Sequence, residues 1–587
     1  MRVGADTGGT FTDLVAPDGR VAKVLSTPAD PGEGVRAGLE ALGGGLPSLL
    51  AHGTTVATNA LLERRGARVA LVATEGFGDV IEIARQDRPS LYDSSVDRPA
   101  PLVPRAWRYE VAGRLAADGT ELEPVAASSL PPLDDDVEAV AVCLLHSDLD
   151  PSHERAVAAE LESRGLDVSC SSEVSPEFRE YERTVTTVLN AYLRPRCRAY
   201  LRGLSGAAEE VLVMTSAGGL LPAGDAADLP AALLLSGPAG GVRAGAAVAA
   251  ACGFADAVTF DMGGTSTDVC LVLGGLPEPA AGRTAAGYPV RLPSLDVHTI
   301  GAGGGSIAAL DPGGALVVGP ASAGADPGPA CYGRGGTAPT VTDADLVLDR
   351  IPADAAFPGL GQLDRSAAER ALAAVGVDAA GVVTVVDAAM ERAVRAVTVE
   401  RGVDPRGLAL VAFGGAGPLH ACALAEALDM GTVVVPPRAG VLSAVGLLCS
   451  PVQRDLVRSW PRPGDLTGLD TALAELAAAA GPGEVETAVD CRYVGQSHEL
   501  TVPSVGEFPD EHRRRNGYVR DALVEVLALR ARTTSPAPLE VTDLPPPPAR
   551  TAVVGPAIVA EEDCTIWVPA GWRADPGRLG TLVVTRT

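Results

Sequence analysis

One eight-residue phrase occurs twice in this chain, as Asp6-Thr7-Gly8-Gly9-Thr10-Phe11-Thr12-Asp13 and as Asp261-Met262-Gly263-Gly264-Thr265-Ser266-Thr267-Asp268. Six of the eight positions are identical. Apolar, β-prone residues precede each copy (1–5 and 257–260) and follow it (14–15 and 269–273). The pattern is a strand, a Gly-Gly-Thr turn and a strand, used once in each half of the molecule. Adjacent glycines permit positive φ and let a polyanion approach the backbone. Consecutive N–H groups in such a turn form an anion-binding concavity. Thr7, Thr10, Thr12, Thr265, Ser266 and Thr267 add hydroxyl donors. Two such turns facing one another can grip the phosphates of one nucleotide from both sides.

The aspartates of the phrase repel phosphate. Asp6 and Asp261 therefore suit a Mg²⁺ ion, held directly or through its waters. Asp13 and Asp268 are candidates for orienting an attacking group. Lysine usage narrows the chemistry further. Of 47 Lys+Arg residues only Lys23 is a lysine, so no G-x-x-x-x-G-K-[ST] loop exists. Phosphate binding must then rest on amides, hydroxyls and carboxylates.

The formal charge of −27 excludes nucleic acid and anionic membranes as natural partners. Ten dispersed cysteines without a C-x-x-C pair exclude a zinc ribbon and a dithiol redox motif. The N-terminus enters a strand with no basic leader, and no apolar run reaches the ~20 residues of a membrane span. The expectation is a soluble cytoplasmic protein with reduced thiols.

The order of elements predicts an α/β protein of three blocks. Residues 1–180 read as a first lobe, with buried strands at 69–73 and 137–145 and an amphipathic helix at 153–165. Residues 181–460 read as a second lobe, with helices at 183–204, 365–374 and 387–402 and strands at 211–215 and 408–413. Residues 461–587 read as a small β-rich domain with strands at 484–502 and 523–533.

Further glycine runs punctuate the second lobe. Gly414-Gly415-Ala416-Gly417 follows a strand and opens a helix, which suits a nucleoside wall or helix N-terminal amides on a phosphate. Gly301-Ala302-Gly303-Gly304-Gly305-Ser306 lacks the G-x-G-x-x-G spacing of a dinucleotide site, so Gly303 and Gly304 are assigned to phosphate or substrate. Near these turns His52 and His298 are candidate bases or substrate donors. Thr54, Thr55, Asn59 and Asp296 are substrate-side candidates, and Arg85 is a candidate partner for a substrate carboxylate or phosphate. His420 is equally suited to capping its helix, and Cys331 reads as a buried inert thiol. Neither H-E-x-x-H nor G-x-S-x-G occurs.

Taken in order, eight strings make the chain resemble the hydantoinase A / 5-oxoprolinase family, in its N-methylhydantoinase A-type subunit. They are G-A-D-T-G-G-T-F-T-D, H-G-T-T-V-A-T-N-A-L-L-E-R, F-D-M-G-G-T-S-T-D-V, H-T-I-G-A-G-G-G-S-I-A, S-A-G-A-D-P-G-P-A-C-Y-G-R-G-G, T-V-T-D-A-D-L-V-L, A-F-G-G-A-G-P-L-H and R-Y-V-G-Q-S-H-E-L. The resemblance implies the two-lobed actin/Hsp70/sugar-kinase ATPase fold, a duplicated RNase H-like architecture. It implies ATP and Mg²⁺, phosphorylation of the oxygen of a cyclic amide or imide, and hydrolytic ring opening. It also implies a B-type partner subunit and an oligomer. Related subunits serve ATP-dependent ketone carboxylases, and a non-catalytic ATP-gated module shares the same turns.

Overall fold

Each octapeptide begins in one strand and ends in the next, and each hairpin seeds a large sheet. The computed structural model describes residues 1–27, 30–280, 282–352, 354, 356–357 and 361–587. In the first sheet Arg2–Thr7 pairs antiparallel with Phe11–Val15, which pairs with Val21–Leu25. On its other side Arg2–Thr7 runs parallel to Leu49–Thr54, and that strand runs parallel to Glu210–Met214. The second sheet repeats this plan: Leu276–Pro277, Thr267–Leu273, Ala257–Met262, Ala409–Phe413 and Thr432–Val435 stand in the same order with the same directions. The chain is thus a mixed α/β protein built on two copies of one sheet plan.

Each sheet buries its own core. Val3, Ala5, Leu14 and Leu50 belong to one cluster, and Val258, Phe260, Val411 and Val434 to another. Two helices run between the sheets, Gly237–Ala251 and Leu442–Cys449. They cross where glycine meets glycine: a methyl group on Gly446 would lie 1.9 Å from the Gly240 carbonyl oxygen. The second helix also presses on the first sheet, because a methyl on Gly4 would lie 2.2 Å from the Ala444 carbonyl oxygen.

The expected block boundaries cut across these sheets. Strands Glu210–Met214 and Leu220–Pro222 return to the first sheet beyond the 180/181 line. Residues 69–170 instead form a separate four-stranded parallel sheet. The C-terminal block divides as well. Gln453–Ser459, Val524–Thr534, Glu484–Tyr493 and Leu500–Val502 form an antiparallel sheet of their own, while Leu582–Arg586 pairs with Thr432–Val435 and extends the second large sheet. A helix expected at 387–402 starts earlier, at Ala379–Val397, because Asp378 caps it through the Gly381 N–H.

A buried charge network docks the antiparallel sheet. Glu499, from the R-Y-V-G-Q-S-H-E-L string, accepts from Arg179 and Arg291, and Arg530 joins Asp490 to Glu177. All ten cysteines are free thiols, and Cys331 is fully buried. No single helix among the described residues is long and apolar enough to cross a membrane.

The glycine crossing generates a stability prediction. Gly446→Ala forces two backbones apart and is expected to cost about 2–3 kcal/mol in urea unfolding. Gly431→Ala, whose methyl meets nothing within 4 Å, is expected to change stability by less than about 1 kcal/mol.

Candidate functional site

Both octapeptide turns close in the same way. The Gly8 N–H donates to the Phe11 carbonyl and the Gly263 N–H to the Ser266 carbonyl, each at 3.0 Å. The amides of Gly9, Thr10, Gly264 and Thr265 have no intramolecular acceptor among the described residues. The turns meet face to face: a methyl on Gly264 would lie 2.9 Å from the Thr10 hydroxyl. Thr10, Thr265 and Ser266 sit on these tips. Thr7 and Thr12, expected on the phosphate side, are corrected. They pair across the hairpin and are buried, and the Thr12 hydroxyl is 3.1 Å from that of Ser26.

The pleat has a second consequence. Asp6 stands directly opposite Asp13, and Asp261 directly opposite Asp268. Like charges in such cross-strand positions repel. Burial drives the Asp6 carboxyl up to about 7; Asp13 and Asp268 add to this and Lys23 opposes it. Asp261 is pushed well above the carboxylate range by burial, then by Asp268 and Asp6. Asp268 rises to about 6 through burial, although Thr299 donates to its Oδ1 at 2.5 Å. Asp13 is raised by burial and pulled back by Lys23, whose Nζ lies 2.8 Å from its Oδ1. Asp13 is therefore engaged by an ammonium group and does not stand free to orient a nucleophile.

Two glycines give the carboxylates their room. A methyl on Gly53 would lie 2.7 Å from Asp6 Oδ1, and one on Gly414 would lie 2.3 Å from Asp261 Oδ1. The donors are all oxygen, and they carry more negative charge than Lys23 neutralises. That set fits a hard divalent cation, which Asp6 and Asp261 would hold. The aspartates are too spread to enclose a bare ion together. Among the described residues the group whose ligand atoms all lie within 4.8 Å is Glu561, Asp563 and Cys564, where Arg550 already holds Glu561.

The turn at 414–417 lies against the second octapeptide. Gly414 donates to Ala439 and Ala416 to Met262, so the turn is tied to the second octapeptide. Gly415 faces open space, and Gly417 packs near Phe260 and Met262. The expected role of Gly303 and Gly304 is corrected. The Gly303 N–H is spent on Ser306 and the Gly304 N–H on Gly263, so this run braces the second turn from behind.

On the substrate side the structure retains two candidates and removes others. Thr55 and Asn59 remain at the surface, 3.3 Å apart, beside the start of the Gly237–Ala251 helix. Thr54 is buried and accepts from Val56. His52 is corrected: it is fully buried, with Nδ1 3.1 Å from the Ala5 carbonyl and Nε2 2.8 Å from the Tyr200 hydroxyl. Burial pushes its pKa down to about 4 against the Ala5 bond, so it is a neutral structural ring. His298 is paired with Val269 and so lies on the face opposite Thr299 and Asp268. Asp296 is bound to Arg401. Arg85 is held by Glu182, with Nε–Oε1 at 2.8 Å, so it is already neutralised. Sequence reasoning missed Thr299 and Ser443, whose hydroxyl is 3.5 Å from Asp261 Oδ2. Thr299 stands inside the H-T-I-G-A-G-G-G-S-I-A string and Ser443 in none of the strings, and neither is marked as a partner of an aspartate, since they reach the aspartates through strand pairing and helix crossing.

The hydantoinase/oxoprolinase N-terminal region model matches residues 2–165, and the hydantoinase/oxoprolinase model matches residues 183–456. The chain belongs to the hydantoinase/oxoprolinase family. Within that family it is 37% identical to the caprolactamase subunit alpha of Pseudomonas jessenii, over 85% of this chain and 80% of the relative. It is 35% identical to 5-oxoprolinase 1 of Arabidopsis thaliana over 78% of this chain, and spans 42% of that longer relative. Its fold matches the crystal structure of the ATP-dependent caprolactamase of Pseudomonas jessenii with a TM-score of 0.82, 31% identity and full coverage of both chains. A nucleotide-free acetone carboxylase structure matches in fold with a TM-score of 0.80 at 24% identity, covering 100% of this chain and 99% of that one.

The clustered carboxylates generate a pH prediction. A carboxyl raised above its unfolded value binds a proton that the unfolded chain has released, so its contribution to stability is lost as pH rises through the folded value. Asp261→Asn removes one such group. Its stability relative to the unsubstituted protein is expected to grow by more than about 1 kcal/mol between pH 5 and pH 8, measured by denaturant unfolding without ligand. The same variant is expected to lose Mg²⁺-dependent nucleotide binding. Lower stability than the parent at pH 8 contradicts this charge balance.

Proposed function

We propose that this chain is the ATP-binding subunit of an enzyme that opens a cyclic amide, and that its two sheets are the lobes of an actin/Hsp70/sugar-kinase-like ATPase. The observation that carries the reading is the pair of facing turns, with unpaired amides, set over four aspartates. The likeness to a caprolactamase subunit and to an ATP-dependent caprolactamase structure supports it.

An unstrained amide resists water, and a phosphoryl group on its oxygen turns that oxygen into a leaving group. The amide oxygen takes the γ-phosphoryl group of ATP and ADP departs. Water then adds at the former carbonyl carbon and the ring C–N bond breaks, the nitrogen leaving as a protonated amine and the carbon keeping its phosphate as an acyl phosphate. A second water displaces that phosphate and leaves the carboxylate. The amides of Gly9, Thr10, Gly264 and Thr265 hold phosphate oxygens, and Thr10, Thr265 and Ser266 add hydroxyls. Asp6 and Asp261 would hold Mg²⁺, which neutralises phosphate charge. Such positioning and neutralisation dominate phosphoryl transfer. Thr55 and Asn59, surface side chains 3.3 Å apart, are the candidates for contacting the ring. Arg85 is already paired with Glu182, which favours an uncharged lactam or imide over an acid such as 5-oxoproline. Since relatives are named as subunits, a B-type partner is part of the proposal.

The test is ADP release by the chain with its partner subunit on a panel of caprolactam, hydantoin and 5-oxoproline. Lactam-stimulated turnover at least about tenfold above the basal rate is expected, with Asp6→Asn abolishing it. No stimulation across the panel sinks the reading. Bicarbonate-dependent turnover of a ketone would assign the chain instead to the carboxylase branch, which the acetone carboxylase fold match favours as second reading.

A further inference from the structure

Three helices meet behind the 414–417 turn around a charge that the proposed chemistry does not use. His420, on helix Gly417–Ala427, is fully buried. Its Nδ1 lies 2.7 Å from Asp387 Oδ1 on helix Ala379–Val397. Its Nε2 lies 3.2 Å from Asp345 Oδ2 on helix Val341–Val347. Each ring nitrogen thus faces a carboxylate, an arrangement that only the doubly protonated ring satisfies. Burial alone would push its pKa down; Asp345 and then Asp387 overcome this and hold it at about 10. Arg350 adds a positive charge 3.5 Å from Asp345 Oδ1.

The knot joins two elements that end on the same octapeptide. Thr342, on the helix of Asp345, donates its N–H and its hydroxyl to the Gly304 carbonyl, at 2.7 and 2.8 Å. Gly304 in turn donates to the Gly263 carbonyl of the second phosphate turn. From the other side, the helix of His420 continues the 414–416 turn, and Ala416 donates to the Met262 carbonyl. The two arms close on each other at Gly304, where a methyl group would lie 3.9 Å from the Ala416 methyl. The His420–Asp345 ion pair, at 3.2 Å, closes this loop of contacts.

We propose that His420 is a positioning residue of the nucleotide site: clasped between Asp345 and Asp387, it fixes the spacing between the 414–417 turn and the second phosphate turn. This rests on the nucleotide reading given above. His420 touches neither turn tip, and it acts through the two helices. An ordinary structural ion pair in the same place would contribute to unfolding stability and leave the affinity of the folded protein alone.

The experiment is titration calorimetry of the full chain with MgADP, with thermal unfolding measured in parallel. His420→Gln can satisfy one carboxylate and no longer both. It is expected to weaken MgADP binding about tenfold or more, because a misplaced wall loses contacts made only in the correct geometry. In the assembled enzyme it raises the KM for ATP by a similar factor, while kcat at saturating ATP falls less than about threefold. Asp387→Asn keeps the Asp345 contact and serves where His420→Gln fails to fold; it is expected to weaken binding in the same direction, by less. Unchanged MgADP affinity in a folded variant overturns the proposal, as does an equal loss in kcat and in affinity for the amide. If the unsubstituted chain does not bind MgADP, this inference and the nucleotide reading fall together. If that chain binds MgADP but turns over no amide, the substrate reading falls, and this inference is decided by the variants.

Discussion

The structure depends on keeping two pairs of carboxylates face to face. Cross-strand register puts Asp6 opposite Asp13 and Asp261 opposite Asp268, positions where a sheet is ordinarily weakened by like charge. Everything around them makes that arrangement tolerable. Glycine at 53 and 414 gives the carboxylates space, Lys23 neutralises one of them, and hydroxyls of Thr299 and Ser443 approach two others. The burial that raises their pKa values keeps these carboxyls poorly solvated, which a bound divalent cation would relieve.

The second theme is duplication with divergence. The two sheets share strand order and direction, and the helices between them touch through glycine backbone. Around that common plan the two halves are furnished differently. The first carries a separate parallel sheet between its fourth and fifth strands, while the second carries the glycine run that braces its Gly-Gly-Thr turn. The first-turn edge is steadied by a lysine and the second by the Gly304 relay, so equivalent turns are held by unrelated means.

Local signals are legible in the sequence and distant ones are not. The turns, the strands flanking them and the glycine wall after Phe413 were legible, because glycine spacing and apolar runs act within a few residues. His52 was misjudged because its partner Tyr200 is 148 positions away, and nothing adjacent reveals it. Thr7 and Thr12 were misplaced because pleat direction, not composition, decides which hydroxyl faces the opening. Sheet membership is set the same way: Glu210–Met214 and Leu582–Arg586 choose sheets by pairing across long separations. The family strings carried information that composition did not, and their structural roles emerge only in three dimensions. Glu499 docks a sheet, while Asp345 and His420 join two strings that sequence alone treats as separate.

Lys23 has a consequence beyond charge balance. It carries the only side-chain amine in the chain, and that amine lies against Asp13 beside the first turn. Reagents that acylate amines therefore see a single internal address, apart from the N-terminus. The protein carries one internal position for an amine-directed label, beside the first Gly-Gly-Thr turn.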